Sequence, residues 1–383
     1  MIIDSSYVNK QIGNENFKGF LDLSNKNFIR IERDAFKPCK NREIKALRIQ
    51  NDSLNLTLRK AHQSLFEPVK EHLKEMYLSN ITFECSLSIF NHLQQLKKLS
   101  IQKCSFNDRT ARSKMDEENF ISLVSLESII LNNNSSYFYE NNIFKRSENI
   151  KLVSIKLDQS KNTVINFNAS FFEPFKKVTT LQLIGEKILL DEKCLECLPE
   201  LNELQLQKVN MRKEQSVLPN FPKLQALTCK EVKNLNLNKI AELVSLEELT
   251  ITPVQSHAEW QRNLFTESHS RSQVDDMYVH ILATLINLTH LDLTHCYLTY
   301  IDNTMLSNLK NLVFLNLSDN KIYFIADDAF DSLVNLKEIH LENNCCLEKI
   351  NFNRVFLKQD KLEKISVNPA VKALDLMDGR FNF

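Results

Sequence analysis

Two groups of side chains in this sequence have the types and spacing that could perform chemistry. Cys194 and Cys197 show the C-x-x-C spacing of zinc and dithiol sites, in which two nearby thiolates share a metal or form a disulfide. His290 and Asp292 alternate along one stretch, and His340 follows further along the chain. If that stretch is a strand, His290 and Asp292 point the same way and could form an acid–base pair or ligate a metal.

Both patterns lack the additional residues that such chemistry requires. No second ligand pair accompanies the C-x-x-C motif, and no third ligand stands at a fixed spacing from His290 and Asp292. With only 4 glycines, the sequence has no Gly-rich phosphate loop, and it has no Ser/His/Asp signature. The 9 cysteines are odd in number and scattered, so we expect free thiols. We predict that the protein is not an enzyme and holds no metal and no cofactor.

Charge and hydropathy exclude further classes. The chain has 48 basic and 48 acidic residues, a balance that argues against nucleic-acid and membrane-surface binding. No apolar run approaches the roughly 20 residues of a membrane span. The first residues, Met1 to Ser6, lack the basic and apolar regions of a signal peptide. We therefore expect either a cytosolic protein or a chain without its true N-terminus.

The elements that position all these residues follow from a repeat. Residues 312–322 and 336–344 both read L-x-x-L-x-L-x-x-N and begin 24 residues apart, which is the pattern of a leucine-rich repeat. The alternating L-x-L points two side chains into a core and the residue between them outward. About fourteen such pairs can be followed, from Leu21/Leu23 to Ile365/Val367, among them Ile155/Leu157.

Stacked units of this kind predict an α/β solenoid, a curved leucine-rich repeat horseshoe with a parallel sheet on its concave face. We expect one solenoid over residues 1–383, with an irregular N-terminal edge at 1–17 and a C-terminal edge at 368–383. The stretch 256–276 exceeds the repeat length and is polar, so it is predicted to be an inserted surface loop. The alternative for its end is a helical segment that leads into residues 279–285. The 24 phenylalanines predict an aromatic spine behind the sheet.

The residue between each inward pair forms a solvent-facing ladder and is our candidate for binding a protein partner. The candidate partner-binding residues are Arg48, Tyr77, Ile130, Lys156, Gln182, Gln205, Asp292, Asn316 and His340. Tyr77 and Ile130 stand out, because a rigid aromatic or apolar group on a polar face can anchor an interface. The alternative is ordinary exposed apolar surface.

Several N-x-S/T motifs indicate glycosylation in the secretory pathway. The alternative is that a chain rich in asparagine and serine produces such motifs by chance. The candidate acceptors are Asn51, Asn55, Asn80, Asn168, Asn287 and Asn316. Asn134 occupies a turn-bonding position of the repeat, which makes it a poor acceptor.

The segment 325–336, and residues 20–25 followed by 31–36, follow a closer pattern. They resemble the typical-class leucine-rich repeats of animal extracellular proteins: Toll receptors, chaoptin- and connectin-like adhesion proteins, and secreted insect immune proteins. The resemblance implies extracellular or cell-surface recognition, often with receptor homo- or heterodimerisation. The chain departs from the family in lacking a signal peptide, cysteine caps and an anchor, so a cytoplasmic scaffold or adaptor is the alternative.

Overall fold

The computed structural model describes residues 2–373, except 14–16, 25–27, 52–55, 107–122, 141–143, 145–147, 159–163, 192, 214–215, 217, 255–271, 345–346, 348 and 369–371. The chain folds as two compact units, Met1–Leu201 and Asn202–Phe383. The candidate acceptor Asn55 and the cysteines at 345 and 346 lie outside the described residues, as does most of the predicted loop 256–276.

Each unit contains seven parallel strands in its described part. In the first unit they are β1 (Phe20–Leu23), β2 (Ala46–Gln50), β3 (Glu75–Ser79), β4 (Lys98–Gln102), β5 (Ser128–Asn132), β6 (Leu152–Lys156) and β7 (Thr180–Ile184). In the second they are β8 (Glu203–Gln207), β9 (Ala226–Lys230), β10 (Glu248–Thr252), β11 (His290–Asp292), β12 (Phe314–Asn316), β13 (Glu338–His340) and β14 (Lys364–Ser366). The predicted α/β solenoid with about fourteen repeats is confirmed.

Strand register follows the inward leucines. Leu47 pairs with Met76 and Ile49 with Leu78, and all four side chains are at most 1% exposed. Burying each such side chain contributes about 1.5–3 kcal/mol, which only a neighbouring repeat can provide.

One predicted inward pair is wrong. In β6 the side chains in register with Ile129 and Leu131 are Val153 and Ile155, not Ile155 and Leu157. The outward ladder residue of this repeat is therefore Ser154, and Lys156 lies two residues further along the strand. The period of two explains the error, because a shift by two residues keeps every side chain on the same face.

The return segments contain short strands and helical turns. The strands are Ile2–Ile3, Arg30–Ile31, Leu56–Arg59, Ile81–Glu84, Ser105–Phe106, Ile165–Phe167, Ile188–Leu190, Asn210–Met211, Tyr300–Ile301, Phe324–Ile325, Lys349–Ile350 and Lys372–Ala373. The α-helices are α1 (Ser5–Ile12), α2 (Tyr137–Glu140), α3 (Ala169–Phe172), α4 (Gln273–Leu282), α5 (Asn303–Leu306) and α6 (Phe352–Val355). The 3₁₀ helices are Lys37–Asn41, Lys60–His62, Glu67–Val69, Leu87–Phe90 and Leu237–Glu242.

Phenylalanines stack behind the sheet, as predicted. Phe66 lies 6.0 Å from Phe36 and 5.9 Å from Phe90, measured between ring centroids, so one ring per repeat continues the row in the first unit. In the second unit Phe330 stacks on Phe356 at 5.2 Å. This aromatic spine fills the core opposite the strands and holds their outward face in place.

The N-terminal edge is more regular than the sequence predicted. Asp4 accepts a hydrogen bond from the Tyr7 amide and so caps α1, which buries Val8 and Ile12. The preceding strand pairs with Arg30–Ile31. These contacts cover the apolar edge that a terminal repeat would otherwise expose to water.

The described end of the predicted insertion is helical, because α4 spans Gln273–Leu282 and so leads into residues 279–285. Ser272 and Asp275 form a capping box at the start of α4, and Val274, Tyr278 and Ile281 are buried on one side. The S-x-x-D spacing favours a helix N-terminus at this position.

Candidate partner-binding surface

The predicted ladder residues lie in register on the sheet face opposite the core. In the first unit the ladder reads Asp22, Arg48, Tyr77, Ser100, Ile130, Ser154 and Gln182. In the second it reads Gln205, Thr228, Thr250, Asp292, Asn316, His340 and Ser366. The structure thus brings eight of the nine candidates into the two ladders, and Lys156 is the exception.

A second outward column was missed at the sequence level. It stands two residues before the ladder and includes Phe20, Lys98, His290, Phe314 and Glu338. The signal was available, because residues i and i+2 of a strand share one face. Aromatic and charged groups in this column contact the ladder residues and form two patches, one in each unit.

The N-terminal patch consists of Phe20, Asp22, Arg48, Glu75, Tyr77 and Lys98. The guanidinium carbon of Arg48 lies 5.2 Å from the ring centroid of Phe20 and 5.3 Å from that of Tyr77. Nη1 of Arg48 lies 3.3 Å from Oδ2 of Asp22. Lys98 Nζ stands 5.4 Å from the Tyr77 ring centroid. Cation–π contacts with Arg48 and Lys98 therefore stabilise the positions of the Phe20 and Tyr77 rings on an otherwise polar face.

Tyr77 is half-buried rather than exposed, because these neighbours cover it. Its hydroxyl donates a hydrogen bond to Glu75 Oε2 at 2.5 Å. Burial raises the pKa of Tyr77 above its ordinary value, and the hydrogen bond to Glu75 adds to the rise. The phenol therefore stays a neutral donor at physiological pH. Ile130 is also half-buried, between Ser100 and Ser154 on the neighbouring strands.

The C-terminal patch consists of His290, Asp292, Phe314, Glu338, His340 and Glu342. The Phe314 ring centroid lies 6.0 Å from that of His290 and 5.5 Å from that of His340. His340 Nε2 stands 2.7 Å from Glu338 Oε1, and its Nδ1 stands 3.3 Å from Glu342 Oε1. The hydrogen bond from Lys364 and that from His340 lower the pKa of Glu338, so its carboxylate is ionised at neutral pH.

The two cysteines of the C-x-x-C motif lie next to each other in one return segment. Cys194 is buried, and Cys197 Sγ donates to the Cys194 carbonyl oxygen at 3.2 Å. Burial raises the pKa of Cys194 to about 12, which makes it a poor nucleophile and metal ligand at neutral pH. Seven cysteines in the described part form no disulfide. Among the described residues, no three His, Cys, Asp or Glu side chains are grouped to hold a metal.

The candidate glycan acceptors fall into two classes. Asn51 is 1% exposed and donates to the Phe28 carbonyl oxygen at 2.5 Å, and half-buried Asn80 donates to the Asn51 carbonyl oxygen at 2.5 Å. Both amides hold the turns after their strands. Asn168 and Asn287 are exposed on return segments, and Asn287 lines a polar groove of about 760 Å³.

Asn316 stands within the C-terminal ladder, half-buried between Asp292 and His340. Its Oδ1 accepts hydrogen bonds from the Ser318 amide at 3.0 Å and from the Ser318 hydroxyl at 2.5 Å. A glycan on Asn316 would stand on the C-terminal patch. Within the described residues no helix has the length and apolar character to cross a membrane.

A family model described as "Leucine rich repeat" matches residues 286–346. This range contains the segment 325–336, which follows the typical-class repeat pattern. The solved structure of a TLR13–ssRNA13 complex has the same fold, with a TM-score of 0.61 and 18% identity over 89% of this chain and 46% of that chain. Residues 286–346 are thus leucine-rich repeats, and the chain has the leucine-rich repeat fold. The resemblance inferred from the sequence is confirmed at the level of the repeat and its fold.

Two curated relatives resemble parts of this chain. "Probable serine/threonine-protein kinase pats1" of Dictyostelium discoideum is 26% identical over 211 residues, which are 51% of this chain and 7% of the relative. "Receptor like protein 27" of Arabidopsis thaliana is 29% identical over 153 residues, 38% of this chain and 18% of the relative. The chain therefore spans less than a fifth of either curated relative.

Proposed function

We propose that this leucine-rich repeat protein is a non-catalytic module that binds a protein partner through the outward sheet face. The observation that carries the proposal is the pair of patches, in which aromatic rings are held at regular strand positions between charged groups. Aromatic and arginine side chains at fixed positions dominate the energetics of protein interfaces. The repeat scaffold supports this role, because its rigid backbone presents the rings with little loss of entropy on binding.

The setting we propose is extracellular or the cell surface. The typical-class pattern supports it, as does the similarity to a relative named a receptor-like protein. The exposed motifs at Asn168 and Asn287 are compatible with glycosylation. The solved TLR13 complex contains a single-stranded RNA. We favour a protein ligand for the present chain, because its formal charge is zero.

The second candidate is an intracellular scaffold or adaptor. It is favoured by the free cysteines, since thiols stay reduced in the cytosol and usually pair in secreted proteins. The binding surface would be the same in both settings. Dimerisation, which the family resemblance implies, stays a prediction in either.

The binding proposal is tested by an interaction screen followed by matched variants. The immobilised chain is screened against arrayed extracellular and cytosolic proteins, and the affinity of each hit is measured by surface plasmon resonance. We expect Tyr77→Ala or Phe314→Ala to weaken binding at least tenfold, the loss of about 1.4 kcal/mol that marks an interface anchor. Leu357→Ala, at a 62% exposed position on a return segment, is the matched apolar control.

Arg48→Ala and Arg42→Ala form a second matched pair, since Arg48 lies in the N-terminal patch and Arg42 is exposed after a 3₁₀ helix. Hits that tolerate the Tyr77, Phe314 and Arg48 substitutions but are lost with Arg42→Ala or Leu357→Ala would refute the sheet face as the binding surface.

The location proposal is tested by expressing the chain behind a heterologous signal peptide and digesting it with a glycosidase. Glycans on Asn168 and Asn287 support the extracellular reading. Secretion with no mobility shift, or aggregation through its cysteines, supports the intracellular scaffold.

A further inference from the structure

The four consecutive strands β10 to β13 carry an unusual set of outward side chains. At the two outward columns they read Glu248, Thr250, His290, Asp292, Phe314, Asn316, Glu338 and His340. None of these eight positions holds a lysine or arginine, whereas three hold carboxylates. Glu342, which contacts His340, adds a fourth. This stretch of the sheet is therefore acidic within a chain of zero net charge.

Aromatic rings run through the middle of this acidic stretch. His290, Phe314 and His340 form a row in which each ring contacts the next, with the first pair stacked at an interplanar angle of 25°. His290 is exposed and Phe314 is half-buried, so the row is open to solvent. An aromatic face beside carboxylates attracts a cation twice, through the ring quadrupole and through charge.

The carboxylates differ in how far they are already neutralised. Glu338 contacts Lys364 and His340, which together offset its charge. Within the described residues, Glu248 and Asp292 form no ion pair with a lysine or arginine, and Asp292 uses its Oδ1 to accept from the Thr294 amide at 3.0 Å. Glu248 pairs in register with His290, and Asp292 lies two residues after His290. Glu248 therefore lies one strand away from His290, a spacing of ~4.8 Å, and Asp292 lies on the same strand as His290.

We propose that the β10–β13 face binds an arginine-bearing segment of the protein partner, with a guanidinium stacked on the exposed His290 ring at the end of the row and paired with Asp292 and Glu248. The inference rests on the proposed function and names the chemistry of the partner. Arginine fits better than lysine, because its planar, weakly hydrated guanidinium can stack on a ring and donate to two carboxylates at once. The N-terminal patch supplies no such site, since its arginine and lysine already cover its rings.

The test uses three fluorescein-labelled peptides, tetra-arginine, tetra-lysine and tetra-glutamate, and fluorescence anisotropy at 20 and 150 mM salt. Tetra-arginine should bind most tightly, tetra-lysine several-fold more weakly, and tetra-glutamate not measurably. Glu248→Gln/Asp292→Asn should weaken tetra-arginine binding at least tenfold. His290→Leu should weaken it about fivefold and remove the preference for arginine over lysine, since stacking on the ring is worth about 1 kcal/mol.

The matched control removes the same charge elsewhere in the second unit. Asp276→Asn/Asp328→Asn changes two exposed carboxylates that lie off the sheet face, and it should leave tetra-arginine affinity within twofold. Circular dichroism verifies that each variant is folded.

Equal loss of affinity in both double variants would show that the peptide senses only net charge, and that result would overturn the proposal. Absence of tetra-arginine binding at 20 mM salt would overturn it as well. Neither result would contradict the proposed function. That proposal fails only if substitutions in both patches leave the binding of protein partners unchanged.

Discussion

The buried carboxylate of Asp275 gives the sharpest test of how the second unit is held together. Its Oδ2 accepts from the Ser272 amide at 2.9 Å, the Ser272 hydroxyl at 2.8 Å and the Thr299 hydroxyl at 2.6 Å, and its Oδ1 accepts from the Thr299 amide at 3.0 Å. The residue is 0% exposed. These bonds both cap α4 and fasten it to the next repeat, so Asp275→Ala removes two functions together.

The magnitude follows from the groups left behind. Truncation leaves the amide and hydroxyl of Thr299, a residue only 7% exposed, without their acceptor. Each unpaired buried group costs about 1–3 kcal/mol, and the lost cap adds about 1 kcal/mol. We expect Asp275→Ala to lower the free energy of unfolding by about 3–7 kcal/mol. In a unit of this size that corresponds to a fall of roughly 6–28 °C in Tm.

Thermal unfolding followed by circular dichroism measures the change, and hydrogen exchange of the α4 amides locates it. The matched control is Asp276→Ala, which removes an exposed carboxylate from the same helical turn and should cost below about 1 kcal/mol. Equal Tm values for Asp275→Ala and Asp276→Ala, or unchanged exchange in α4, would refute the reasoning.

Three further predictions concern other parts of the molecule. Leu315→Ala, at a buried inward position, should lower the free energy of unfolding by about 2–5 kcal/mol in chemical denaturation, whereas a value below 1 kcal/mol would argue against the strand assignment. Cys194 and Cys229 should resist a thiol reagent at pH 8 in the folded chain, because burial raises the pKa of each to about 12, and rapid labelling of either would show that the repeat opens. For the same reason the free energy of unfolding should fall as pH rises above about 9, where the unfolded thiols ionise and the folded ones do not; a flat pH profile between 9 and 11 would contradict this.

The strands could be predicted because each repeat contains its own pair of inward-facing apolar residues. The apolar alternation at Leu315 and Leu317 and its equivalents is local, so it can be read without knowing any neighbour. The register of β6 could not be predicted in the same way. Val153, Ile155 and Leu157 alternate along this stretch and all three are buried, so two different inward pairs fit the pattern. The pairings with β5 and β7 distinguish the two choices.

The patches were predicted in part. Tyr77 and His340 followed from the ladder position alone, but their contacts with Arg48 and Phe314 join strands that are far apart in the sequence. Such contacts depend on register and on side-chain direction together. The burial of Asp275 is a similar case, because Thr299, its partner, lies 24 residues further along the chain.

Hydroxyl-radical footprinting of the chain, alone and with a protein partner from the interaction screen, tests the outward sheet face most directly. The method reports the solvent access of individual aromatic and aliphatic side chains. We expect Tyr77 or Phe314 to become protected on binding, while Leu357 on the return segment keeps its reactivity. Protection confined to Leu357 and its neighbours, with both rings unchanged, would contradict it.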